Sequence, residues 1–190
     1  MKRRGQRRTS NSRPGVCAAV TALLVVALTA VQLAAASVTR GDPVIVANGV
    51  RLIVRAGWQR VPPASPGPVT DPRTLLVVGT AGVRPLSTQR SPKCQIAAYR
   101  IPPTAAAVVI VRWQSVTSAG GGPWTAGRAP LSKLRSVHRP SFECFSGRGA
   151  VADVLLGEHP YQVNVLVGGR ASKQRVAAAL AVGRSFDLVR

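Results

Sequence analysis

Acidic side chains are nearly missing from this sequence: 6 Asp and Glu stand against 26 Lys and Arg in 190 residues, a formal net charge of +20. Asp42, Asp71, Glu143, Asp153, Glu158 and Asp187 are scattered singly, which leaves paired-carboxylate hydrolysis without a visible site. Aromatics make up only 4% of the chain, so a core has to be assembled from Val, Leu, Ile and Ala. There is no GxSxG elbow, no HExxH pair and no GxxxxGKS/T loop. Neither CxxC nor HxxxH spacing occurs, so a zinc site has no paired ligands. GTAG at 79–82 and GRG at 147–149 are short glycine bends, too brief to read as phosphate cradles. These absences weigh against an enzyme, and no metal or cofactor is expected.

What is present begins at the N-terminus. Residues 1–15 hold six basic side chains (Lys2, Arg3, Arg4, Arg7, Arg8, Arg13) and no acid, and run into the uncharged apolar stretch VCAAVTALLVVALTAVQLAAA at 16–36. At about 1.5 Å per residue a helix of that length reaches roughly 30 Å, the hydrocarbon thickness of a bilayer. The pattern predicts a basic cytoplasmic tail, a transmembrane anchor, a short stalk at 37–42 and an extracytoplasmic domain at 43–190. The alternative is a cleaved secretory signal, because Ala34, Ala35 and Ala36 suit signal peptidase. The apolar run is longer than a usual signal core, which favours retention. Cys17 opens this run instead of following it, so it is badly placed for lipidation, and the paired arginines lack the apolar followers of a twin-arginine signal.

Export would leave two cysteines in the domain, Cys94 in SPKCQIAAYR and Cys144 in FECFSGRG. Two thiols in an oxidising compartment normally pair, and closing a loop of about 50 residues stabilises by roughly 4 kcal/mol in the chain-entropy estimate. A disulfide between them is therefore the expectation. A thiol nucleophile at Cys144 would need His138 or His159 as base, and both precede or nearly precede a proline in turn-like sequence.

Along the domain, Asn48-Gly49 between two β-branched runs signals a hairpin, and Val50, Leu52 and Val54 alternate with Arg51, Ile53 and Arg55 as in a half-buried strand. Residues 61–72 hold five prolines and must cross the surface. RTLLVVGTAG reads as an inner strand, CQIAAYRI and AVVIVRWQS as two further strands, and SAGGGP at 118–123 as a flexible tip. AVADVLLG and YQVNVLVG flank GEHP as an antiparallel pair. A helix follows in ASKQRVAAALAVG, with Ser172 as N-cap, Val176 and Leu180 on one face and Gly183 as stop; SFDLV closes as a strand or tail. The fold class expected is α+β, a largely antiparallel sheet with a C-terminal helix packed on it, preceded by the N-terminal transmembrane helix.

Taken in order, the basic flank and anchor, GWQRVPP, LLVVGTAG, the cysteine strand, VVIVRWQS, RPSFECFSGRG and the closing helix with SFDLV resemble a group of exported, membrane-anchored actinobacterial proteins of unknown function, over residues 49–190. The ending, a helix followed by RSFDLV, is also similar to the close of PsbP, Mog1 and LpqN-type domains. That likeness implies helices packed on an antiparallel sheet and a binding or scaffolding role, and it transfers no functional residue.

Without its basic leader the chain still holds 20 Arg and Lys against 6 acids. Such a domain is drawn to anionic polymers or lipid headgroups; Arg112 to Trp113 and Arg135 to Phe142 mix basic and aromatic residues, but no nucleic-acid motif accompanies them, and none is expected as a partner outside the cell. Trp58 and Trp113 sit at strand ends and are expected to pack, while Trp124, after GGGP, is the candidate ligand contact. The function expected is a membrane-anchored binding or scaffolding domain at the cell envelope. The alternatives are a secreted binding protein after signal cleavage and an envelope hydrolase with a dispersed site.

Overall fold

The computed structural model describes residues 41–64, 71–86, 98–119, 124–138 and 147–189. The basic tail, the apolar stretch at 16–36, most of the stalk, residues 120–123 of the tip expected at 118–123, Cys94 and Cys144 lie outside the described residues. Among those described, no helix is long and apolar enough to cross a membrane. Residues 41–190 constitute one compact unit.

Asn48 and Gly49 turn the chain at positive φ, 48° and 78°, and join β1 (Val44–Ala47) to β2 (Val50–Ile53). The alternation read from the sequence holds, since Val50, Leu52 and Val54 are buried and Arg51, Ile53 and Arg55 are exposed. β3 (Trp58–Arg60) then opens a six-stranded sheet in the order β3-β4-β7-β10-β9-β8, with β4 (Arg73–Thr80), β7 (Ala106–Arg112), β8 (Thr125–Ala126), β9 (Arg148–Leu156) and β10 (His159–Val167). Every pairing in it is antiparallel except that of β8 with β9. A two-stranded ribbon pairs β5 (Arg84–Pro85) with β6 (Tyr99–Arg100). The strand expected over CQIAAYRI is thus only two residues long within its described part, and it lies apart from the main sheet.

β4, β7, β10 and β9 each have a neighbour on both sides, and the near-continuous apolar runs of β4 and β7 follow from cover on both faces. On one face, Val78, Val108, Ile110, Val163 and Val165 pack with Leu52 of β2, Leu134, and Ala179, Val182 and Phe186 from the C-terminal region. On the other, Val77, Val109, Val111 and Leu166 meet Val61, Val83, Ala98 and Tyr99. β4 bulges between Thr74 and Leu76. The bulge leaves the Leu75 carbonyl outside the ladder, and the Asn48 amide donates to it at 2.7 Å, which ties the first hairpin to the sheet.

The helix α1 (Lys173–Arg184) starts where expected: Ser172 is extended and its hydroxyl accepts from the Arg175 N–H at 3.1 Å. Its end differs from expectation. Gly183 lies inside the helix, which runs to Arg184 and is capped by Ser185. A Cβ at Gly183 would fall 2.9 Å from Val165 Cγ2 and 3.1 Å from Leu134 Cδ1, so this glycine serves close helix-to-sheet approach and is not a stop. After it, β11 (Asp187–Leu188) pairs antiparallel with β2 and completes a second sheet, β1-β2-β11.

A basic groove beside the C-terminal helix

The first groove is built by three segments that sequence order keeps apart. A 3₁₀ turn at Ala129–Lys133 buries Pro130 and Leu131 and delivers Arg135 and Val137 to the surface. The chain then meets the start of β9 through a two-way backbone bridge, His138 N–H to Gly149 carbonyl at 2.9 Å and the reverse at 2.8 Å, which sets Val137 near Arg148. α1 forms the opposite wall. The resulting cavity of about 370 Å³ has an apolar floor of Val137, Ala171, Val176 and Leu180 and a rim of four cations, Arg135, Arg148, Lys173 and Arg184. No acid lines it.

Two of these cations are held in place. Arg135 Nε donates to the Ser132 carbonyl at 3.0 Å, and Arg184 Nη1 donates to the Leu134 carbonyl. Neither takes part in an ion pair among the described residues, where both ion pairs use Asp187, with Arg51 at 2.8 Å and Arg128 at 3.1 Å. The Arg51 bond, assisted by the nearby charge of Arg128, holds the Asp187 carboxyl below its usual range against a smaller opposing effect of burial.

A second cavity of about 490 Å³ lies on the adjoining side of α1, lined by Arg55, Trp58, Gln174, Arg175, Ala178 and Ala181 among others. Ala177 and Arg184 line both cavities.

Among the described residues neither lining contains His, Cys, Asp or Glu; what both offer is positive charge. The two histidines sit elsewhere. His138 is exposed in its bridge, and His159 is exposed at the start of β10, edge-on to Tyr161 with ring centroids 6.5 Å apart. The described acids remain single: Asp71 accepts from the Gln114 N–H at 3.0 Å, and Asp153 accepts from Gln162 Nε2 at 2.8 Å. No group of three or more His, Cys, Asp or Glu suited to a metal ion occurs among the described residues. Trp58 is buried in the core, at 8% exposure. Trp113 is half-buried, with its indole Nε1 enclosed and lacking an acceptor. Trp124, expected as an exposed contact, is half-buried beside β8 and lines neither groove.

No protein family, no curated protein and no solved structure matches this chain. Sequence reading found the excess of positive charge but missed where it gathers, because Arg135, Arg148, Lys173 and Arg184 belong to no linear motif.

Proposed function

We propose that residues 43–190 form an extracytoplasmic binding or scaffolding module, held at the membrane by residues 16–36, that takes anionic envelope polymers or lipid headgroups into the groove between α1, the 3₁₀ turn and β9. The observation that supports this reading most is the rim of four cations over an apolar floor, with no acid among the described lining residues. Arg and Lys are the side chains that bind phosphate and carboxylate oxygens by charge-assisted hydrogen bonds. An apolar floor suits the uncharged portion of an amphiphilic ligand.

Binding of the full chain to polyanionic polymer and to anionic against neutral vesicles, across a salt series, tests the reading. Strong binding at low salt that weakens steeply toward physiological ionic strength is expected, since the Debye length shrinks to about 8 Å. Replacing Arg135, Arg148 and Lys173 together by Gln is expected to reduce it at least tenfold. Binding that ignores salt, or none at low salt, rejects the groove. Envelope fractionation with N-terminal sequencing and thiol labelling tests the anchor and the Cys94–Cys144 disulfide separately from the groove.

A further inference from the structure

The two cavities share a wall. At about 100° per residue, Lys173, Ala177 and Arg184 fall on the outer ridge of α1. Val176 and Leu180 turn toward the first groove, and Gln174, Ala178 and Ala181 toward the second. The midpoint of that ridge is an exposed alanine, so no side chain longer than a methyl stands there between the grooves. Cations continue across it: Arg135, Arg148 and Lys173 on one side, Arg184 between, Arg55 and Arg175 beyond. None of the six has a carboxylate partner among the described residues.

We infer that the two grooves are one track, and that its occupant is a linear phosphodiester polymer with short carbon spacers that crosses α1 at Ala177. The inference rests on the function proposed above and specifies its ligand. A single headgroup or free phosphate fills one groove and leaves the remaining cations unused. A chain longer than the roughly 10 Å width of a helix reaches both sides. Alternation of charge and carbon along such a polymer matches cationic rims set over the apolar Val137, Val176 and Leu180 floor. Once its first unit is bound, each further unit engages the next cations at high effective concentration, so affinity climbs with length until the track is filled.

Synthetic oligo(glycerol phosphate) of one to ten units, titrated into the full-length protein in neutral detergent, tests this. The dissociation constant is expected to fall at least tenfold between one unit and about four, then to level off. Ala177→Trp is expected to cut that gain to below about threefold, with Ala177→Gln as a milder variant should the first fold poorly. Arg55→Gln, on the far side of the ridge, is expected to lower the slope of log affinity against log salt for the long oligomer by roughly one, the loss of one phosphate contact. Length-independent affinity, a gain untouched by both Ala177 variants, or tighter binding of polyglutamate at equal charge would overturn the track while leaving the first groove standing. Failure of every polyanion to bind at low salt removes the proposed function as well.

Discussion

Asp187 is the acid to which both Arg51 and Arg128 are paired, and it links β11 to β2 across the second sheet. Because its folded pKa is lowered, chiefly by the Arg51 bond, its contribution to stability is present above the ordinary carboxyl value near 3.8 and is lost as pH falls through the lowered folded value. Asp187→Asn is expected to cost about 1 kcal/mol at pH 7, a drop of roughly 2–4 °C in Tm. Thermal melts of the variant and the parent should converge as the pH is taken below the carboxyl range. Asn164 has the opposite character. It is fully buried in β10, its amide nitrogen reaches the Val109 and Gln162 carbonyls only at 3.4 Å, and its Oδ1 has no partner. A buried acceptor left unpaired costs about 1–3 kcal/mol. Asn164→Val, which suits a strand between Val109 and Val151, is expected to raise the urea midpoint. A lower midpoint would mean that the amide's two long bonds outweigh its orphaned oxygen.

At the scale of elements, what could be read from the sequence was local. The Asn48-Gly49 turn, the inner position of β4, the existence of β7, the β9–β10 hairpin and the Ser172 cap each follow from a few adjacent residues. Non-local constraints were hidden. Gly183 has the sequence appearance of a helix stop, yet the approach of Val165 and Leu134 is what requires it. The groove was illegible for the same reason, since its cations come from a 3₁₀ turn, a strand start and both ends of a helix. Gly183→Ala tests the packing argument. Alanine gains about 1 kcal/mol of helix propensity, but the added methyl must displace core side chains at a cost of about 1–3 kcal/mol. A net loss of stability in denaturant melts is expected, together with weaker polyanion binding as α1 lifts from the sheet; a more stable variant would contradict the close approach.

At the scale of the whole molecule, a net charge of +20 means that the chain repels itself. Raising NaCl from 10 to 150 mM contracts the Debye length from about 30 to 8 Å. Tm is therefore expected to rise with salt over that range while polyanion affinity falls, and calorimetry beside binding in the same buffers separates the two. A Tm that drops with added salt would show that attraction between charges, mostly at Asp187, outweighs repulsion.

The pairing of β2 with β11 joins residues 136 positions apart. At roughly 5–20 residues per second of synthesis, the earlier strand waits on the order of ten seconds for its neighbour to be made. During that interval the second sheet has an open rim and Leu52 lacks its final surroundings, so the core on that side closes only when the last residues of the chain have been made.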